Sequence, residues 1–89
     1  AVPTNPALVA RLLDCLDAAM PDDGRAPVIT PLADGGVQAE WHRNGSVLEL
    51  VVPSDEPARY YFYDPVAGNE EEREFEDNEG AVRRLISRF

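Results

Sequence analysis

The sequence predicts a single α+β domain in which an antiparallel β-meander of three to five strands carries an N-terminal and a C-terminal helix on one face. Three observations predict this fold: helical spacing of apolar residues near both ends, alternation of apolar and polar residues in the middle, and an Asn-Gly pair between two alternating segments. A chain of 89 residues suits one domain, here residues 1–89. Two helices covering one apolar sheet face are the simplest two-layer way to bury it.

The first helix is predicted over residues 6–20. Asn5 can cap the free amides of a helix start, and Pro6 is tolerated at the first helical position. Apolar side chains then recur every three or four residues, as is typical of an amphipathic helix: Leu8, Leu12, Cys15, Leu16 and Ala19, with Leu13 and Met20 widening the stripe. Pro21 and the turn residues after it end the helix.

A hairpin is predicted in the segment GGVQAEWHRNGSVLELVV, residues 35–52. Asn44-Gly45 favours a type I′ turn, because that turn needs positive φ at both central residues. Folding there gathers six apolar side chains on one face: Val37, Ala39, Trp41, Leu48, Leu50 and Val52. The opposite face receives Gln38, Glu40, His42, Val47, Glu49 and Val51. A slip of one residue would mix the two sets, so this register, which opposes Glu40 and Glu49, is the predicted one.

Shorter strands are predicted on either side of the hairpin. Residues 27–32 can form at most a short edge strand, because Pro27 and Pro31 bracket the β-branched residues between them. Residues 59–63 form a third strand by aromatic content, with a register that the pattern leaves open. We favour Tyr60 and Phe62 on the core side, which places Arg59, Tyr61 and Tyr63 beside the two glutamates. Residues 71–76 could form a fourth, heavily acidic strand.

A second helix is predicted near the end of the chain. Asp77 or Asn78 can cap it, and its apolar side chains repeat at helical spacing: Val82, Leu85, Ile86 and Phe89. Its arginines suit the negative C-terminal end of a helix dipole: Arg83, Arg84 and Arg88.

The charge balance limits the classes of partner. The net charge is −9, from 17 acidic residues against 8 basic ones, all of them arginine. Such a surface repels phosphate backbones, so nucleic acid is disfavoured as a partner and a basic protein is favoured. No segment has the length of a membrane span or the pattern of a signal peptide. Cys15 is the only cysteine, so it is interpreted as a buried structural thiol in a cytoplasmic protein.

Catalytic chemistry finds no support in the sequence. No Ser, Cys or Thr nucleophile has a candidate base in the sequence, one histidine excludes a multi-histidine metal site, and no glycine-rich phosphate loop is present. We therefore expect neither an enzyme nor a cofactor. The cluster Glu40, His42 and Glu49 could bind a divalent metal ion. An exposed like-charge pair on a sheet costs only a few tenths to about 1 kcal/mol, so a solvated pair near Arg43 or Arg59 explains the glutamates more simply.

Two surface features remain as candidate protein-binding sites. Residues 70–79 hold seven acidic residues, without the glycine of a calcium loop. They act either as a charged edge that prevents sheet aggregation or as a docking site for a basic partner, with Glu70, Glu72 and Glu74 as its residues. Val47, Val51, Tyr61 and Tyr63 on an otherwise polar sheet face indicate cover by a partner or a homodimer, although such residues are also good strand formers.

The segment Gly-Gly-Val-Gln-Ala-Glu-Trp at residues 35–41, with the Gly-containing turn and the Leu-Glu-Leu strand after it, resembles a family of small uncharacterised bacterial proteins. Residues 6–16, residues 60–64 and the terminal AVRRLISRF are similar too. Family members begin with a Trp-Asp segment that this chain lacks, so it resembles a trimmed form. The resemblance implies no established enzymatic reaction. It suggests a two-gene, antitoxin-like arrangement.

Together these patterns predict a non-enzymatic, acidic protein-interaction module, antitoxin-like or immunity-like, that binds a basic protein. Divalent-metal binding and a structural homodimer are the alternatives.

Overall fold

The computed structural model describes residues 3–89 and confirms the predicted α+β meander with a helix at each end. Five antiparallel strands lie side by side in chain order, so every connection joins neighbours. In sequence the elements are helix α1 (Pro6–Ala19), strands β1 (Val28–Pro31), β2 (Val37–Arg43), β3 (Ser46–Val52), β4 (Arg59–Asp64) and β5 (Asn69–Glu74), and helix α2 (Glu79–Ile86).

Helix α1 begins where the sequence predicts. The Asn5 side chain accepts a hydrogen bond from the Ala7 amide at 2.9 Å, and Pro6 takes the first helical position. The helix buries Leu8, Leu12 and Ala19. The prediction that Leu13 widens the buried stripe is wrong, since its side chain is 58% exposed. A helix lying on a sheet buries a narrow stripe, and Leu13 points about 100° away from Leu12.

The hairpin of β2 and β3 has the predicted turn and register. Asn44 and Gly45 both have positive φ, 52° and 85°, as a type I′ turn requires. Glu40 pairs with Glu49, and the six predicted apolar side chains are all buried. The indole Nε1 of Trp41 donates a hydrogen bond to the carbonyl oxygen of Arg25 at 2.7 Å, which satisfies its polar atom inside the core.

Strand β4 confirms the favoured orientation, because Tyr60 and Phe62 face the core and are almost fully buried. Strand β5 lies two residues earlier than predicted, at Asn69–Glu74 instead of residues 71–76. The reason is a tight turn: the Asp64 carboxylate accepts hydrogen bonds from the amides of Val66 and Ala67, and Gly68 has φ 71°. The chain therefore reverses at once and pairs Asp64 with Asn69.

Helix α2 begins after Asn78, one of the two predicted caps, but the Asn78 side chain makes no cap hydrogen bond. Its Nδ2 donates instead to the carbonyl oxygen of Glu74 at 2.8 Å. The helix ends at Ile86, before Phe89. A turn then brings Phe89 back, and its ring meets that of Phe62 edge to face with centroids 6.4 Å apart.

The core lies between the sheet and the two helices. Helix α1 contacts β2, β3 and α2, and one apolar cluster joins all of them. Partly buried side chains complete this cluster at its rim: Val9, Cys15, Leu16, Met20 and Phe89. Both helices lie on the same face, so nothing in residues 3–89 covers the other face of the sheet.

Candidate protein-binding face

The uncovered side of the sheet, here called the outer face, is fixed by the strand registers. Residues paired across antiparallel strands point to the same side, and successive residues of one strand alternate sides. The pairings therefore place on this face Val28, Thr30, Gln38, Glu40, His42, Val47, Glu49, Val51, Arg59, Tyr61, Tyr63, Glu70, Glu72 and Glu74. All seven residues that the sequence proposed for protein binding lie on it.

The two opposed glutamates lie at the middle of the outer face. Glu40 and Glu49 pair directly across β2 and β3, and both side chains are half-buried. The Glu40 carboxylate has two polar neighbours: His42 Nε2 lies 3.3 Å from Oε2, and Thr30 Oγ1 donates to Oε1 at 3.4 Å. These contacts hold one of the two carboxylates and leave the Glu49 carboxylate without a hydrogen bond to residues 3–89.

The proposed metal cluster does not assemble in the described residues. Across residues 3–89, no group of three or more His, Cys, Asp and Glu side chains is placed to hold a metal ion. Glu40 and His42 form a pair, and His42 is largely exposed on the surface. The opposed glutamates are thus explained by the register, which must put Trp41 and Leu48 into the core.

Aromatic and aliphatic side chains lie between the charges of this face. Val47, Val51 and Tyr61 are half-buried, and Tyr63 is 38% exposed. The hydroxyl of Tyr61 donates a short hydrogen bond of 2.6 Å to Glu70 Oε2. This bond to Glu70 is the main cause that raises the pKa of Tyr61 to about 12, because it favours the protonated phenol. The Tyr61 hydroxyl is consequently held at the Glu70 carboxylate of β5.

The acidic edge of the face is strand β5. Glu70, Glu72 and Glu74 are exposed and point to the outer side, opposite Tyr63, Tyr61 and Arg59 respectively. Arg59 is the only arginine on the face, and its guanidinium pairs at 3.0 Å with Glu56 of the preceding loop. Five glutamates therefore share a surface with one arginine that is already paired.

One ion pair and the single cysteine lie on the helix-covered side of the sheet. Arg88 pairs with the largely buried Asp64 at 3.0 Å and stacks over the Phe62 ring at 5.1 Å. The sequence did not reveal this pair, because 24 residues separate its members. Cys15 is half-buried against the core rather than fully enclosed, and burial raises the pKa of its thiol. A protonated thiol is a poor nucleophile, as expected of a structural cysteine.

Comparison with known proteins gives no match: no family model, no curated protein and no solved structure corresponds to this chain. The resemblance through the Gly35–Trp41 segment thus stays a prediction. Neither helix found within residues 3–89 has the length and apolar content needed to cross a membrane.

Proposed function

We propose that the protein is a non-enzymatic interaction module, antitoxin-like or immunity-like, whose outer face binds a basic protein. One observation carries the proposal: a five-stranded sheet with helices on one side only presents five glutamates and one paired arginine on the other. A surface of one sign steers and selects a partner of the opposite sign. The same field disfavours nucleic acid, and the single cysteine fits a reducing cytoplasm.

The apolar part of the face supports a protein as the ligand. Tyr61 and Tyr63 flank the acidic row, and Val47 and Val51 lie beside them on β3. Interfaces combine aromatic contact area with a polar, charged rim, and tyrosine suits the boundary because its ring is apolar and its tip polar. Tyr61 is already fixed by its bond to Glu70, so binding costs little additional side-chain entropy there.

A homodimer through this face is less well supported by the charges. Two copies face to face would oppose two sets of five glutamates, with Arg59 as the only arginine on either face. Like charges brought together at an interface cost several kcal/mol, whereas a basic surface would be attracted. A basic partner therefore fits the face better than a second copy.

The proposal is tested by affinity capture from extract of the source cells at low salt, with three proteins as bait. The first is the wild type, and the second is Glu40→Gln/Glu49→Gln/Glu72→Gln, which removes three of the five glutamate charges of the outer face. The third is Asp14→Asn/Asp17→Asn/Asp23→Asn, which removes the same charge from exposed positions outside the sheet. Circular dichroism and thermal melting verify that all three are folded.

We expect a basic protein that the wild type and the aspartate variant retain and the glutamate variant loses. The interaction should weaken steeply with added salt, because exposed charges are screened over about 10 Å at 0.1 M ionic strength. Equal capture by the two variants would place the binding site elsewhere. Capture of no basic protein by the wild type at low salt would contradict the proposed function.

A further inference from the structure

We propose that β5 is a docking edge, to which an extended segment of the partner adds as a sixth strand. The segment would carry basic side chains at alternate positions on the outer face and a carboxylate between two of them on the inner side. This inference rests on the proposed function, since it specifies how the basic partner is held. It differs from general charge attraction because it requires backbone hydrogen bonds and a two-residue spacing of the charges.

The backbone of β5 has open positions at its glutamates. The Phe75 amide donates to the Ala58 carbonyl at 2.8 Å, and the hydrogen-bonded pairs of an antiparallel ladder alternate from there. The amides and carbonyls of residues 69, 71 and 73 therefore bond to β4. Those of Glu70, Glu72 and Glu74 point away from the sheet, and in residues 3–89 no strand lies beyond them. The Glu74 carbonyl accepts a hydrogen bond from Asn78 Nδ2, so the open groups are the three amides and the carbonyls of Glu70 and Glu72.

The opposite edge of the sheet is blocked, which singles out β5. Leu32 donates to the Gly36 carbonyl at 2.9 Å, so the same alternation leaves the positions of Pro27, Ile29 and Pro31 facing outward on β1. Prolines at two of these three positions have no N–H to offer a new strand. Strand β5 is six residues long against four for β1 and contains no proline.

The outer side of the docking edge selects basic residues. In a sixth strand, the residues directly opposite Glu70, Glu72 and Glu74 would point to the outer face, about 5 Å from each glutamate between β-carbons. All three glutamates are exposed, and among them only Glu70 is engaged, by Tyr61. Arginine or lysine at positions i, i+2 and i+4 of the segment would therefore pair with all three.

The inner side of the edge selects a different side chain. The inward residues of β5, Glu71 and Arg73, line a cavity of about 400 Å³ together with Arg84 of α2. The ion pairs of residues 3–89 include neither Arg73 nor Arg84, while Glu71 accepts a hydrogen bond from the Tyr60 hydroxyl at 3.2 Å. A carboxylate opposite Arg73 would point toward this cavity, whose lining includes the guanidinium groups of Arg73 and Arg84.

A second copy of the chain does not supply basic side chains opposite the three outward glutamates of β5. Pairing β5 with β5 would set Glu70, Glu72 and Glu74 of one molecule against the same three residues of the other. Like charges directly opposed on a sheet are destabilising. The occupant is accordingly a partner segment with arginine or lysine at alternate positions.

The test uses the whole protein and synthetic peptides with blocked ends. The peptide TRERTRT, antiparallel to β5, sets its arginines opposite Glu74, Glu72 and Glu70 and its glutamate opposite Arg73. The peptide RRTETTR has the same composition and charge, but no two of its arginines are two or four residues apart, so no register sets more than one of them opposite Glu70, Glu72 and Glu74. We expect TRERTRT to bind at least about tenfold more tightly, because only it can form the ladder and the charge pairs together. Hydrogen exchange should slow at the Glu72 amide.

Backbone methylation separates strand addition from charge attraction. N-methylation of the middle arginine of TRERTRT removes a ladder donor and should abolish the tenfold preference. N-methylation of the threonine between the second and third arginines, whose N–H would face solvent, should leave it intact. If all four peptides bind equally, strand addition is wrong while charge recognition by the outer face stands. If none binds at low salt, strand addition is also wrong, and the capture experiment decides separately on the proposed function.

Discussion

The pair Glu40 and Glu49 shows how core packing can override local electrostatics at single residues. The register that buries Trp41 and Leu48 also opposes these two carboxylates. Burying such large side chains gains roughly 1.5–3 kcal/mol each, whereas like charges directly opposed across two strands cost up to about 1 kcal/mol. Core burial therefore determines the register, although this register brings the two carboxylates together.

Relieving this repulsion should stabilise the protein. We expect Glu49→Gln to raise the free energy of unfolding by a few tenths to about 1 kcal/mol, measured by urea denaturation at pH 7. Glu49 is the member to change, because Glu40 has neighbours in His42 and Thr30. Asp23→Asn, the same change of charge in an exposed turn, is the control and should have a smaller effect. A loss of stability in Glu49→Gln would show that the carboxylate is attracted to a group that the described contacts do not include.

Asp34 should contribute a pH-dependent part of the stability. Its carboxylate accepts hydrogen bonds from the Gly36 amide at 2.9 Å and from the Ser54 amide and hydroxyl at 3.1 and 3.2 Å. These bonds, first that from Gly36, lower its pKa below the ordinary aspartate value. The contribution is thus complete above that ordinary value of about 3.9, and it is lost as the pH falls through the folded-state pKa.

The measurement is thermal melting of Asp34→Asn and wild type between pH 2 and pH 7. The difference in melting temperature between the two proteins should shrink as the pH falls below about 4, because Asp34 becomes protonated there and is then uncharged, as asparagine is. Asp55→Asn, which changes an exposed aspartate in the loop that Asp34 contacts, is the matched control for the loss of one carboxylate. A constant difference across this range would mean that the Asp34 carboxylate gains nothing from these bonds.

At the residue scale, the sequence predicted the orientations that alternate strictly and missed those set by distant partners. The orientation of Trp41 follows from strand alternation in the hairpin. That of Phe62 is favoured because its ring has no polar atom to satisfy, since the pattern leaves the register of β4 open. The Asp64 and Arg88 ion pair depends on where the C-terminal turn places an arginine relative to the end of β4. No repeating pattern in the sequence predicts that Arg88 lies next to Asp64, so the pair is visible only in the folded structure.

Among the elements, the two sheet edges contrast most clearly. Strand β1 exposes Val28 and Ile29, which would favour association with another strand if its backbone were open. Pro27 and Pro31 remove the donors at two of the three outward positions of this edge. The prolines therefore act as protection against pairing at an edge that carries little charge.

Removing these prolines should cause self-association. We expect Pro27→Val/Pro31→Val to show a mass by light scattering that rises with concentration beyond that of the wild type, since three outward donors would then stand in a row beside exposed aliphatic side chains. Thr30→Val is the matched control: it adds an aliphatic residue, but its amide already faces β2. Equal behaviour of the double variant and the control would show that the prolines do not protect this edge.

The elements whose bounds were predicted correctly contain a strong local turn signal in the sequence, and those whose bounds were predicted wrongly do not. The Asn44-Gly45 turn fixes the hairpin because few other residues accept two successive positive φ values. The start of β5 depends on the Asp64 turn, whose signal is spread over Asp64 and Gly68 and competes with the acidic run. Helix α2 ends three residues early for a similar reason, since Phe89 keeps helical spacing in a turn that is no longer helical.

Taken as a whole, the molecule separates its apolar and its acidic surfaces. The two helices and the inner side of the sheet form one core, and the outer face collects carboxylates. The separation could be predicted from the alternation within β2 and β3, because both properties follow from one register. The cavity that Arg73 and Arg84 line could not be predicted from the sequence. Arg73 belongs to a strand pattern and Arg84 to a helix pattern, and only the fold brings the two together.

The charge of the whole molecule should make its stability increase with salt. A net charge of −9 gives repulsion that screening weakens, and the Debye length falls from about 30 Å at 0.01 M to about 10 Å at 0.1 M. Screening also weakens attractive pairs, but the ion pairs of residues 3–89 are His42–Glu40, Arg59–Glu56 and Arg88–Asp64, and pairs with exposed members contribute about 0–1 kcal/mol each. The repulsion of the larger number of unpaired carboxylates should therefore dominate.

We expect the melting temperature to rise by roughly 4–8 °C, equivalent to about 1 kcal/mol, between 0.01 and 0.3 M sodium chloride. The rise should be smaller in Glu40→Gln/Glu49→Gln/Glu72→Gln than in Asp14→Asn/Asp17→Asn/Asp23→Asn. Both variants have the same net charge. The difference between their salt-induced rises in melting temperature therefore measures how much of the repulsion arises on the outer face. A rise that continues linearly to 1 M would indicate a general salt effect on apolar burial instead. Equal slopes in the two variants would show that the acidic residues repel one another no more strongly on the outer face than elsewhere, and a basic partner would then gain no special attraction from that face.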